Sequence, residues 1–137
     1  MPDSPEPNIG ARKILGRVLV VEDDEDINDV VTWTLVDQDL EVATAQDGAQ
    51  ALDMLSRSRF DMLILDLLMP RMGGLRLLEE VRGRGWDVPA IVITGYPDAL
   101  DEPTLRRLRV CQVLKKPFRL ERLANLIKDE LRPPPCP

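Results

Sequence analysis

Met62-Leu63-Ile64-Leu65-Asp66 decides the reading of this chain, because an unbroken apolar run ends there on a carboxylate. A short run with no polar alternation marks a strand covered on both faces, as in parallel sheets. A carboxylate at the end of such a strand is costly unless it is paired or bound to metal. Three other runs share the pattern. Val18-Leu19-Val20-Val21 leads into Glu22-Asp23, Ala90-Ile91-Val92-Ile93 into Thr94, and Val113-Leu114 into Lys115-Lys116 ahead of Pro117. As neighbouring parallel strands, they would bring their carboxyl ends to one patch, where ligands of open α/β sheets bind. Carboxylates, a hydroxyl and an ammonium gathered there make a magnesium and phosphoryl site.

Working outward, strand-like and helix-like patterns alternate along the whole chain. A first strand is predicted over 17–22, then a helix from near Glu25 to near Val36 with Ile27, Val30, Val31 and Leu35 on one face. Leu40 to Thr44 reads as a half-exposed strand, and Asp47-Gly48 opens a helix carrying Ala49, Leu52 and Leu55. After the buried strand comes a loop, Met69-Pro70-Arg71-Met72-Gly73-Gly74, and a helix from Leu75 to about Gly83 through Leu78 and Val81. A fourth strand is expected over Val88–Ile93, with Pro89 near its start, where a missing N–H is tolerable. Asp101-Glu102-Pro103 starts a short helix that ends near Arg109. A fifth strand over 111–115 precedes a helix with Leu120, Leu123, Ala124, Ile127 and Leu131 on one face, stopped by Pro133-Pro134-Pro135. Such alternation argues for βαβ units, a parallel sheet and right-handed crossovers. The reading is one α/β domain over 15–131, with a disordered tail at 1–14 and a proline-rich tail at 132–137.

Composition narrows the function. The chain of 137 residues contains no histidine, which removes a Ser-His-Asp triad, a Cys-His pair and a His-based metal site. Any phosphoryl group it carries must arrive from elsewhere. Cys111 and Cys136 fit no zinc spacing and are too few for a disulfide framework; Cys111 is expected to pack as a small core residue. The net charge of −6 disfavours non-specific nucleic-acid binding. No apolar stretch is long enough to span a bilayer and the start lacks signal-peptide features, so a cytoplasmic protein is expected. Charge is uneven, however: 22–26 are all acidic, whereas Arg106, Arg107, Arg109, Lys115, Lys116, Arg119 and Arg122 crowd the end of the chain. That basic stretch is either a solvated face or a docking surface for an acidic partner.

The individual acids divide by role. Asp24, Glu25 and Asp26 suit a helix N-terminus, where negative charge complements the dipole. Glu22 and Asp23 end the strand itself and are candidates for metal. The same loop has no glycine and repels anions, which argues against a nucleotide or flavin site. Asp23 and Asp66 at about 4 Å would repel by roughly 4 kcal/mol at an effective dielectric near 20. They call for a counter-charge: Mg²⁺, with its demand for oxygen ligands, and Lys116 both qualify. Thr94 and Lys116 supply a donor and a cation for phosphoryl oxygens.

At this point the chain resembles a response-regulator receiver domain of bacterial two-component signalling. The residues that carry the likeness are Val20-Val21-Glu22-Asp23-Asp24, Asp66-Leu67-Leu68-Met69-Pro70 with Gly73-Gly74, Thr94-Gly95, and Lys116-Pro117-Phe118, and it covers about 16–131. The resemblance implies a doubly wound, flavodoxin-like three-layer αβα fold whose five parallel strands lie in the order 2-1-3-4-5. It implies Asp66 as phosphoacceptor, Mg²⁺ held by Asp23 directly, by Glu22 mostly through water, by Asp66 and by the backbone carbonyl of Leu68. Thr94 and Lys116 would hold the phosphoryl oxygens, and Lys116-Pro117 would be cis. The implied partners are a sensor histidine kinase or histidine phosphotransfer protein as donor and an unknown downstream protein. No direct nucleic-acid contact and no membrane contact are expected, and a phosphorylation-dependent homodimer is left open. On this reading the chain is a switch rather than an enzyme, catalysing only its own phosphotransfer and slow dephosphorylation.

Three departures from the family pattern stand out. Val113 occupies the place where an aromatic usually couples to the Thr, so the switch cannot be an aromatic rotamer flip. Arg109 lies about where the family has a turn glycine. Leu68 and Tyr96, bulky and non-acidic, are expected to shield an acyl phosphate from water. Two rivals remain at this stage: a receiver-like scaffold that is never phosphorylated, and a magnesium-dependent phosphotransferase or nuclease. The second typically needs another acid two residues past the first, where Leu68 stands.

Overall fold

The structure, a computed structural model, describes residues 14–67 and 72–131. Strands β1 (Gly16–Val21), β2 (Leu40–Ala45), β3 (Met62–Asp66), β4 (Ala90–Thr94) and β5 (Val110–Lys115) alternate with helices α1 (Glu25–Val36), α2 (Gly48–Arg57), α3 (Gly74–Gly83), α4 (Glu102–Arg107) and α5 (Leu120–Leu131). The strands form one five-stranded sheet in the order β2-β1-β3-β4-β5, with every pairing parallel. The predicted fold class is therefore the observed one.

Period-two alternation explains the layers. Along β1 and β3, Leu19, Val21, Leu63 and Leu65 face one way and meet Ala51 of α2 and Leu77, Leu78 and Val81 of α3. Val18, Val20, Met62 and Ile64 face the other way and meet Val31 and Leu35 of α1 with Leu123 and Ile127 of α5. The whole of β3 is buried, which its unbroken apolar run requires. Each of these large apolar side chains contributes roughly 1.5–3 kcal/mol on burial. Edge strand β2 is buried only at Leu40 and Ala45, as expected for a half-exposed strand.

Local chemistry sets the helix starts. Asp24, Asp47 and Asp101 cap α1, α2 and α4, each accepting backbone N–H bonds from the first turn. Helix α4 is short and ends at Arg107, two residues before the predicted stop. Beyond it Arg109 adopts φ 54, the left-handed region where the family pattern has glycine. The Arg82 guanidinium grips this turn, donating from Nε to the Leu108 carbonyl at 2.8 Å and from Nη1 to the Trp86 carbonyl at 2.8 Å, with Nη2 at 3.3 Å from the Arg109 carbonyl.

Several finer expectations shift. Strand β1 ends at Val21, so Glu22 follows the strand rather than closing it. Strand β4 begins at Ala90, not Val88. Pro89 has no N–H for the ladder, yet its carbonyl still accepts from Leu63 N–H at 2.8 Å. Val30 is 39% exposed, because the inward stripe of α1 runs Asn28, Val31, Leu35 and leaves Val30 on the flank. Ala49 is exposed for the same reason, and Ala51 takes the inward place on α2. Cys111 is half-buried rather than a core residue. The expected tails lie outside the described residues except for Ile14, which is exposed.

At the amino ends of the strands lies a groove of about 880 Å³ lined by Leu15, Leu55, Phe60, Trp86, Pro89 and Leu131 among others. It is on the opposite pole from the acids.

Candidate metal and phosphoryl site

The sheet order places β1, β3, β4 and β5 side by side, so their carboxyl ends share one rim. The register sets Asp66 against Ile93, and Thr94 against Lys115. Glu22 is held just past β1: its N–H donates to the Ala45 carbonyl at 3.0 Å, and its carbonyl accepts from the buried Asn28 side-chain amide at 2.6 Å. Its carboxylate accepts from Asp24 N–H at 3.2 Å. Asp23 is exposed, whereas Glu22 and Asp66 are 4% and 8% exposed. Carboxylate oxygens of all three lie within 4.8 Å of one another.

Lys116 is the resident counter-charge. Its Nζ donates to Asp66 Oδ2 at 2.7 Å and to Glu22 Oε1 at 3.1 Å. The backbone places it there, since Lys116 N–H donates to the Thr94 carbonyl at 2.8 Å and the following Lys116-Pro117 peptide is cis. Burial alone would lower the ammonium; the hydrogen bonds to Asp66 and Glu22 outweigh it, and the net shift is upward. Burial pushes the Glu22 carboxyl up to about 7, with contact to Asp23 and the charge of Asp66 adding to it, while Asp24 N–H and Lys116 pull the other way. The site is thus crowded with negative charge that one ammonium only partly balances.

Thr94 is buried on the same rim, and its hydroxyl accepts from Tyr96 N–H at 2.9 Å. Tyr96 itself is 66% exposed. Glu22, Asp23, Asp66, Thr94 and Lys116 therefore all stand at the carboxyl end of the sheet. The Leu68 carbonyl lies outside the described residues. Of the basic stretch, Lys116 turns into the site, and Arg107 and Arg109 pair with Glu79 and Asp87 at 3.4 and 2.9 Å.

Two supports escaped the sequence reading. Asn28 anchors the Glu22 carbonyl; its signal was a polar residue on the inward stripe of α1, four residues after the capping Asp24. Gly74 lets α3 press on the Asp66 backbone: a Cβ there would run into the Asp66 carbonyl oxygen. Glycine at the loop's end was read as punctuation and as part of the family likeness, not as a point of close approach.

A doubly wound parallel sheet with clustered acids, a buried hydroxyl and a lysine along one rim defines a receiver-type signalling domain. A family model described as response regulator receiver domain matches residues 18–128, and the chain belongs to that family. Receiver domains of this family serve two-component signalling, working with histidine kinases or phosphotransfer proteins and binding Mg²⁺ at an acidic pocket. Response regulator MprA of Mycobacterium tuberculosis is 35% identical over 116 residues, covering 85% of this chain and 50% of that protein. The chain thus spans about half the length of the curated relatives it matches. Response regulator TrrA of Thermotoga maritima, solved in complex with Mg²⁺–BeF, superposes with a TM-score of 0.75 at 27% identity, covering 83% of this chain and 97% of that one. Chemotaxis response regulator CheY4 of Vibrio cholerae gives 0.76 at 31%, covering 83% and 97%. Among the described residues, no helix is long and apolar enough to cross a membrane.

Proposed function

We propose that Asp66 is the phosphoacceptor of a Mg²⁺-dependent switch charged from a phosphohistidine donor. The observation that carries this is the Lys116 ammonium bonded at once to Asp66 and Glu22, at 2.7 and 3.1 Å, inside a cluster of hard-oxygen ligands. Acids this close, with one cation among them, fit a divalent ion. Glu22, Asp23 and Asp66 would hold it, with the Leu68 carbonyl as the further ligand the family pattern implies. When bound there, Mg²⁺ supplies charge neutralisation and alignment of the phosphoryl group.

The rest is done by this chain's residues. A carboxylate oxygen of Asp66 attacks phosphorus as the P–N bond to the donor imidazole breaks; the imidazole leaves with the electron pair and takes up a proton. Lys116 then exchanges its bond to Asp66 for one to a phosphoryl oxygen, and the Thr94 hydroxyl donates a hydrogen bond to another. The donor is a sensor histidine kinase or a histidine phosphotransfer protein, because this chain has no histidine of its own. Output passes through protein contacts on the surface around β4 and β5, where Arg106, Lys115, Arg119 and Arg122 are exposed and suit an acidic partner. A homodimer formed on phosphorylation would use the same face. With Val113 in β5, the signal moves through Thr94 and its backbone rather than through an aromatic rotamer. The setting is the cytoplasm, where the donors' nucleotide pool lies.

Mixing the protein with Mg²⁺ and a small acyl phosphate, then measuring intact mass, tests the reading. One added phosphoryl group, absent in Asp66→Asn, is expected; no mass gain in the unsubstituted protein would leave only a scaffold. The label is expected to persist well beyond seconds at neutral pH, because the residues two past Asp66 and Thr94 in sequence, Leu68 and Tyr96, are bulky and bring no acid.

A further inference from the structure

The first residue of α2, Gly48, touches the segment that follows the phosphoacceptor. Its N–H donates to the Met72 carbonyl at 3.2 Å. A Cβ at this position would lie 2.7 Å from Met72 Cγ, 2.8 Å from Met72 Cβ and 2.9 Å from the Met72 carbonyl oxygen. The Met72 side chain could swing away, but the carbonyl belongs to the backbone and cannot move without its segment. Gly48 sits in an ordinary helical conformation, so no positive φ demands glycine here. Alanine is the better helix former, and glycine at a helix start weakens α2. What the missing side chain provides is close approach.

That approach matters because of where Met72 stands. On its far side Gly74 N–H donates to the Leu67 carbonyl at 3.0 Å, closing the segment that begins just after Asp66. Met72 packs on the same apolar cluster as Leu65, Leu77 and Leu52. Asp47, buried at 5% exposure, fixes the start of α2 by accepting from Gln50 N–H at 2.8 Å. Helix α2 is thereby a stop against which Met72 is braced, next to the glycine that closes on Asp66 and Leu67.

We propose that Gly48 is a positioning residue for the metal and phosphoryl site: by bearing no side chain it lets α2 brace the Met72 backbone. That contact fixes Met72 and, two residues on, Gly74, whose backbone closes on Asp66 and Leu67. This inference rests on the reading of Asp66 as phosphoacceptor. Outer-shell partners of metal ligands typically change affinity by about 10–100-fold when altered, and an effect near the lower end is expected here.

The test compares the unsubstituted protein, Gly48→Ala and the control Gly83→Ala, whose added Cβ meets nothing within 4 Å. Each is titrated with Mg²⁺ by calorimetry and phosphorylated with a small acyl phosphate at saturating Mg²⁺. Gly48→Ala is expected to bind Mg²⁺ about tenfold more weakly, in the range set by such second partners, while Gly83→Ala matches the unsubstituted protein. A merely structural role would lower the melting temperature equally with and without Mg²⁺ and leave the affinity unchanged; that result overturns the proposal. Should Gly48→Ala not fold, amide hydrogen exchange at Gly48 in the unsubstituted protein decides. Mg²⁺ with beryllofluoride is expected to slow it, and indifference refutes the brace. Failure of the unsubstituted protein to bind Mg²⁺ or take up phosphoryl would instead sink the functional reading itself.

Discussion

Raising the pH of the metal-free protein from 5 to 8 should destabilise it through Glu22. In the folded state burial pushes this carboxyl up to about 7 from an ordinary 4.5. Between those values the folded protein binds a proton that the unfolded chain has released, so stability falls as pH rises. Below the lower value both states are protonated and the group contributes nothing; above about 7 both are ionised and the loss is complete. At about 1.4 kcal/mol per pH unit, a shift of this size is worth about 3 kcal/mol. Urea denaturation in EDTA at a series of pH values reads it as a midpoint displaced by roughly 1 M or more, given ordinary denaturant sensitivity. Glu22→Gln cannot titrate, so its curve should lack that slope, and saturating Mg²⁺, which prefers the ionised acids, should flatten the curve of the unsubstituted protein. Parallel pH curves for the two proteins between 5 and 8 would refute the reasoning, since the substitution removes the carboxyl to which the slope is assigned.

Lys116→Ala removes the donor bonded to Asp66 and Glu22; phosphorylation by a small acyl phosphate should slow by about 100-fold, the scale for loss of one positioned donor, read by intact mass over time. Arg82→Ala frees the carbonyls of Trp86, Leu108 and Arg109 at a cost of about 2–3 kcal/mol, checked by urea denaturation, with Mg²⁺ affinity unchanged because the turn is remote from the acids. Arg109→Gly relieves the φ of 54 while losing an exposed ion pair to Asp87. Relief worth about 1 kcal/mol or more against a pair worth under about 1 leaves a small net gain in melting temperature. A clear drop would show that the ion pair dominates.

The sheet and its order were legible because the apolar runs carry their own burial signature: β3 needs cover on both faces, and Asp66, Thr94 and Lys116 each sit where such a run ends. The acids were legible for the same reason. Less so were the flanks of helices. Val30 and Ala49 are apolar and close to the correct period, yet the choice of inward stripe depends on how α1 and α2 rotate against the sheet, which no local pattern encodes. Asn28 was hidden because a polar residue on a buried stripe reads as noise until its partner, the Glu22 carbonyl, is seen. Gly48 and Gly74 were hidden because close approach involves two segments far apart in sequence. Pro89 shortens β4 through a missing donor, which the sequence does announce, though the ladder's starting point depends on the partner strand.

The groove at the amino ends of the strands has a practical consequence. Leu15 and Leu131 both border it, so whatever is tethered at either position emerges on the side away from the carboxylates. Strands of five or six residues put roughly 17–20 Å between the two poles. A fluorophore, affinity handle or extra module joined there would leave the entrance for a bulky donor clear.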